Sequence, residues 1–354
     1  MTNKRKKILF FLPSSTGGAE RMTVTIAKML DLEQYEVKFV IVHPTLGTII
    51  DFIPKIYEII HIPIHNIWCA TTIRMMTVIM EEKPDIVFCS LLYLNARLIV
   101  AAKLCGVKVI VRNNIDISRT TSKQSKFLVR ATYKWADKIV AQQEEMRDEI
   151  IRIIGVPTNK VITLHNPIDI ESIQLKVNAP SPYIDADNQL KYVCVGRFSQ
   201  EKGQDILVKA FATVHKKNNN AHLYFIGKYD WNNKFDREIR KYVEDNDLSD
   251  CIHFVGFDNN PYRWIKNADV YVMPSRLEGL PNSLIEAMLL GKPVVATHCI
   301  PVISRIVNNG YNGYVIPPDN ICEMSKAMPK ASLLKNFKMT YKSATKEEFI
   351  NLFK

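Results

Sequence analysis

Two glutamates eight positions apart, Glu278 and Glu286, bracket the turn Gly279-Leu280-Pro281-Asn282 between the apolar run Val270–Met273 and an apolar-rich stretch from Leu284 onward. The run has strand character and the stretch has helical spacing, so both carboxylates can point at one pocket. Carboxylates accept hydrogen bonds from the hydroxyls of a sugar or a ribose. At such a helix start the N–H groups of Gly279 and Leu280 suit an anion. A blander reading is just as local: Ser283 and Glu286 have capping-box spacing, and Glu278 would then be a solvated turn residue.

A second constellation, Gly196-Arg197-Phe198-Ser199-Gln200-Glu201-Lys202-Gly203, leaves another apolar run and precedes another helical stretch. Arg197 offers a fork of donors and Lys202 a mobile point charge, a pair suited to a diphosphate whose charge grows as it departs. Taken alone, a basic loop is more often just solvated. Near the amino terminus, Ser14-Ser15-Thr16-Gly17-Gly18-Ala19-Glu20 follows the first apolar run. Its paired glycines let backbone approach a ligand, and the helix start after them offers donors to an anion. The alternative is a tight turn with Thr16 as cap. Neither GxGxxG nor GxxxxGK[ST] is present.

Other searches return little. Asp185-Ala186-Asp187 has DxD form and Asp245-Asn246-Asp247 repeats it, both read as incidental, and the eight histidines form no HExxH pair. The seven cysteines are scattered without CxxC spacing, the usage of a reduced, cytosolic protein. A net charge of +11 favours anionic partners. From Ser118 to Lys138, Arg119, Lys123, Lys126, Arg130, Lys134 and Lys138 interleave with Phe127, Leu128, Val129, Tyr133 and Trp135. Such a stretch fits an anionic membrane surface or an ordinary face of a basic protein. A nucleic-acid partner is not expected, because no recognised module is present. The apolar run Ile8 to Pro13 is too short for a signal peptide or a span.

The elements that must position these groups alternate between short β-rich runs and longer amphipathic stretches, the pattern of parallel sheets covered on both faces. Strands are expected at 7–12, 37–42, 85–90, 107–112, 138–141 and 161–165, then at 192–195, 222–226, 252–255, 270–273, 293–297 and 314–316. With 354 residues and 47% hydrophobic content, two domains are expected. We place an acceptor-side domain at 1–170, a donor-side domain at 171–334, and a helix within 335–354 that packs back toward the first. Asn166-Pro167-Ile168-Asp169 and the breaker-rich 178–188 read as the connector. Two doubly wound α/β domains of this kind would face each other across a cleft, with carboxyl-end loops presented to it.

Together these residues resemble the retaining GT-B glycosyltransferases of family 4, the group that builds bacterial surface polysaccharides and glycolipids. The likeness runs through Gly17-Gly18-Ala19-Glu20, Asn166-Pro167-Ile168-Asp169, Gly196-Arg197-Phe198, Lys202-Gly203, Phe254-Val255-Gly256-Phe257, Ala268-Asp269-Val270, the Glu278-to-Glu286 element and Gly291-Lys292-Pro293. The resemblance implies two Rossmann-like domains and transfer of a hexose or N-acetylhexosamine from a nucleotide diphosphate, UDP by preference, to a lipid-linked saccharide. It implies Arg197 and Lys202 on the diphosphate, with Glu278, Gly279 and Leu280 around sugar and phosphate. Pro281 and Asn282 complete that turn, Glu286 meets the ribose, Phe257 borders the base, and Gly17 and Gly18 face the diphosphate. No metal and no cofactor beyond the donor substrate is implied. The enzyme would work in the cytoplasm, peripherally at the inner face of the membrane. Many relatives carry a histidine where this chain reads Arg112-Asn113, so Arg112 or Asn113, with Glu20, is assigned to the acceptor side. A nucleotide-sugar epimerase and an inactive nucleotide-sugar-binding scaffold are the rival readings.

Overall fold

Apolar runs without alternation belong in strands buried on both faces, and Ile8 to Leu12 are all fully buried. The computed structural model describes residues 5–15, 17–43, 45–63, 68–118, 123–168, 170–183, 188–335, 337 and 343–354. Contacts divide the chain into one unit of Met1–Ile168 with Lys342–Lys354 and another of Asp169–Tyr341.

Unit 1 contains β1 (Lys6–Leu12), α1 (Gly18–Lys28), β2 (Tyr35–Val42), β3 (Glu58–Ile62), α2 (Trp68–Glu82), β4 (Ile86–Cys89), α3 (Leu92–Leu104), β5 (Lys108–Arg112), α4 (Lys123–Thr132), β6 (Lys138–Ala141), α5 (Glu144–Ile154) and β7 (Val161–Thr163). Its sheet has the order β3-β2-β1-β4-β5-β6-β7, every pair parallel. Unit 2 contains α6 (Ile170–Val177), β8 (Leu190–Val195), α7 (Gln204–His215), β9 (Ala221–Ile226), α8 (Lys234–Asp245), β10 (Ile252–Gly256), α9 (Pro261–Asn267), β11 (Val270–Met273), α10 (Asn282–Leu289), β12 (Val294–Thr297), α11 (Pro301–Ile306), β13 (Gly313–Ile316) and α12 (Ile321–Ala331). Its sheet runs β10-β9-β8-β11-β12-β13, again parallel throughout.

In both sheets the chain winds outward one way from its first strand and then returns to wind the other way. The reversal falls between β1 and β4 in unit 1 and between β8 and β11 in unit 2. Such a switch point splays the two following loops apart and leaves room for a ligand outside the carboxyl ends of the strands.

Two segments differ from the sequence expectations. Glu58–Ile62 was not expected as a strand; it is the polar edge of its sheet, with a single buried residue, Ile62. The described part of the expected connector at 178–183 packs on unit 2. Tyr183 donates its hydroxyl to the Trp264 carbonyl at 2.8 Å and packs edge-on against Tyr224 and Trp264. The unit boundary falls at Ile168, and α6 docks on α9 through the Asn260 side chain and the Lys176 carbonyl, 2.9 Å apart.

The last helix, α13 (Lys346–Ile350), opens with a capping box in which Thr345 and Glu348 satisfy each other's backbone N–H. Phe349 and Phe353 are fully buried in unit 1. The Phe353 ring lies 5.8 Å from both Phe10 and Phe88, centroid to centroid. Lys6 fixes the same segment by donating to the carbonyls of Phe353 and Lys354 at 3.0 and 2.8 Å.

Candidate functional site

In unit 2 the loop after β8 and the turn after β11 leave neighbouring strands on either side of the switch point, which brings residues 196–203 against 274–278. Gly203 makes the fit possible. It adopts φ +67°, and a Cβ there would run into the carbonyl of Pro274. Fully buried Gln204 fixes the loop from within by donating to the Arg197 carbonyl at 2.9 Å.

Lys202 and Glu278 meet across this contact. The ammonium lies 2.8 Å from the Glu278 carboxylate, which also accepts from the Ser275 hydroxyl at 2.7 Å. Only 9% of the Glu278 side chain is exposed against 29% for Lys202, so the cation reaches solvent and the anion supports it. A partly desolvated ammonium is a stronger electrostatic partner for an incoming phosphate than one in bulk water. Cys194 lies in β8 close by, but burial pushes its thiol up to about 12, which makes it a poor nucleophile.

Glu286 lies in α10 and accepts from the Tyr262 hydroxyl at 3.3 Å. The capping box with Ser283 does not form. α10 begins at Asn282 with Pro281 before it, and Ser283 accepts instead from the Tyr271 hydroxyl at 2.7 Å. Gly279 and Asn282 are half-buried, Leu280 and Pro281 are buried, and the Asn282 N–H donates to the Leu280 carbonyl. Arg197 is exposed, as is Phe257, whose ring lies 5.3 Å from the Lys228 ammonium.

Arg276 was not singled out from the sequence. Its guanidinium grips both Asp205 oxygens at 2.9 and 2.8 Å, and it donates to Asp319 at 2.6 Å and to the Gln200 carbonyl at 2.7 Å. The Asp205 carboxylate above all holds this group more firmly protonated than an ordinary arginine.

In unit 1, Gly17 precedes α1 in extended conformation and Gly18 opens the helix, while Thr16 lies outside the described residues. Glu20 is 6% exposed, and its carboxylate folds back beside Gly17 and accepts from the Ser15 hydroxyl at 2.9 Å. A negative group therefore already sits at this helix start. Arg112 and Asn113 are fully buried, not surface groups. Arg112 donates to the Asn166 side chain, and Asn113 accepts from the Tyr133 hydroxyl at 2.8 Å. The first contact ties the end of β5 to Asn166, just ahead of the unit boundary, and the second ties it to the turn after α4.

Among the described residues no three His, Cys, Asp or Glu side chains group as a metal site. Asp185-Ala186-Asp187 lies outside those residues, and Asp245 is engaged by Lys241 at 2.9 Å. On α4 and the turn after it, Lys123, Phe127, Arg130 and Lys134 are exposed at helical spacing, with Trp135 exposed beside them. Arg119 falls outside the described residues. Among those described, no helix is long and apolar enough to cross a membrane.

Residues 16–172 match the family model described as Glycosyltransferase Family 4, and residues 182–348 match that described as Glycosyl transferases group 1. An uncharacterized glycosyltransferase of Methanocaldococcus jannaschii is 30% identical over 243 residues, covering 64% of this chain and 59% of that protein. The N-acetylgalactosamine-N,N'-diacetylbacillosaminyl-diphospho-undecaprenol 4-alpha-N-acetylgalactosaminyltransferase of Campylobacter jejuni is 22% identical over 96% of this chain and 93% of its own. The crystal structure of Anabaena Alr3699/HepE in complex with UDP and glucose superimposes with a TM-score of 0.77 at 18% identity, over 93% of this chain and 92% of that one.

Proposed function

The chain belongs to the family 4 glycosyltransferases, and from that membership we propose a donor, an acceptor and a chemistry. Unit 2 binds a UDP-linked hexose or N-acetylhexosamine, and the sugar passes to a lipid-linked saccharide in the synthesis of a surface polysaccharide or glycolipid. The observation that carries this reading is the Lys202–Glu278 pair at the switch point of unit 2. The Campylobacter relative's name, with its lipid diphosphate acceptor, and the UDP and glucose bound by the Anabaena protein support the same reading.

The acceptor hydroxyl oxygen bonds to the anomeric carbon on the face from which the diphosphate leaves, so configuration is retained. The carbon–oxygen bond to the diphosphate breaks, and the hydroxyl proton passes to a phosphate oxygen. No protein nucleophile takes part. Lys202 and Arg197 meet the negative charge that develops on the diphosphate, with the Gly279 and Leu280 amides beside it. Glu278 orients Lys202 and the sugar, Pro281 and Asn282 shape the turn, Glu286 accepts from the ribose, and Phe257 borders the base. The family pattern assigns Gly17 and Gly18 to the diphosphate and Glu20, Arg112 and Asn113 to the acceptor side, the last two as buried supports. Lys202 and Arg197 supply in this reading the positive charge that a divalent ion would otherwise bring, so no metal is proposed. The exposed stripe of α4, with Phe127 and Trp135 among cations, lies on anionic lipid at the cytoplasmic face of the membrane.

The test is a panel of labelled UDP-sugars with and without bacterial lipid extract, in excess chelator. Label is expected in the lipid fraction, falling about a hundredfold in Lys202→Ala and Glu286→Ala with the fold intact. Altered free donor would indicate an epimerase, and tight binding without turnover a scaffold. Full activity in both variants removes the site assignment.

A further inference from the structure

Lys202 sits on a loop, and a loop places a charge to within a fraction of an ångström only if something holds it. Arg276 reaches both sides of Lys202. Its guanidinium donates to the carbonyl of Gln200, two residues before, and grips the carboxylate of Asp205, three residues after, while Nε donates to Asp319 on the turn before α12. Its backbone N–H, with that of Leu277, donates to the Glu201 carbonyl at 2.7 and 3.1 Å. One residue thus fixes two consecutive loop positions, those just before Lys202, and the first turn of α7. Glu278, two residues further along, receives the Lys202 ammonium.

The arginine does this from behind. Its side chain lines a cavity of about 480 Å³ with Gln200, Asp205, Val208, Phe235 and Tyr242, and neither Lys202 nor Glu278 borders that space. Two carboxylates and a carbonyl occupy the guanidinium, so its charge is already engaged. We propose that Arg276 is a positioning residue for donor binding, which acts through Lys202 by clamping the loop between β8 and α7 and never meets the donor itself. The proposal rests on the reading that Lys202 meets the donor diphosphate.

A thermodynamic cycle tests it. UDP is titrated by calorimetry into the wild type, Arg276→Ala, Lys202→Ala and the double variant, with circular dichroism and unfolding midpoints recorded for each. Affinity is expected to fall about tenfold on Arg276→Ala, but no more than about twofold when Lys202 is already alanine. Arg276→Lys falls between, because an ammonium cannot grip Asp205 as a fork while reaching Gln200 and Asp319. Equal losses in both backgrounds, or none, overturn the proposal. If Arg276→Ala does not fold, Asp205→Asn replaces it in the same cycle. A wild type that fails to bind UDP sinks the donor reading instead. Hydrogen exchange at residues 199–203 then decides the clamp, expected to quicken in the arginine variant and overturning it if unchanged.

Discussion

Lys202 is shared between two partners. In the chain as it stands its ammonium belongs to Glu278, and in the proposed reaction it belongs to a phosphate. Glu278→Gln should therefore leave UDP binding unchanged or tighter, because a competitor for the cation is gone, while sugar transfer falls at least tenfold. The glutamine keeps an acceptor oxygen for Ser275 and Lys202 and the ammonium still reaches solvent, so the unfolding midpoint should move little. Calorimetry beside a transfer assay checks both; UDP affinity falling in step with transfer would mean that the carboxylate is needed to bind the nucleotide and does not compete for the cation. At this scale the sequence was legible where chemistry is local. Lys202 and Glu278 each follow a strand, and that position marked them. Arg276 was not legible because Asp205 and Asp319 lie 71 and 43 positions away, and no spacing rule reaches so far. The Ser283–Glu286 spacing misled for a different reason. Whether such a pair caps a helix depends on where the helix starts, and here Ser283 lies inside it, taken by Tyr271.

The elements that hold the site depend on close backbone approach as much as on side chains. Gly203→Ala would force a non-glycine residue into φ +67° and drive its methyl into the Pro274 carbonyl. The expected loss is about 1–3 kcal/mol, with UDP affinity reduced as the loop shifts. Chemical denaturation together with UDP titration measures both, and an alanine variant of unchanged stability and affinity would refute the packing argument. Strands buried on both faces, such as β1, β4 and β11, were readable because an unbroken apolar run has few other places to go. The edge strand β3 was not, since Glu58-Ile59-Ile60-His61-Ile62 faces solvent along much of its length and carries no clear period. The loop 178–188 reads as a linker from its prolines and polar residues. Tyr183, set between Tyr224 and Trp264, draws its first part into unit 2.

For the whole molecule, the repeated run of strands and helices made two doubly wound units readable, because each sheet restarts the same pattern. What the pattern left open was how residues 343–354 are held, since a short amphipathic segment fits many surfaces. Phe353 and Phe349 are part of the core of unit 1 and not decoration on it. Phe353→Ala should lower stability by about 3–5 kcal/mol. Thermal unfolding followed by calorimetry should show that loss in unit 1, with UDP affinity at unit 2 little changed; a midpoint within a degree of wild type would contradict the packing. The same arrangement has a consequence for biosynthesis. Phe10 leaves the ribosome more than three hundred residues before its partner Phe353, so during translation unit 2 can complete its own hydrophobic interior first, while the earlier-made sheet waits with an apolar seam uncovered, open to chaperones or to aggregation until the closing helix emerges.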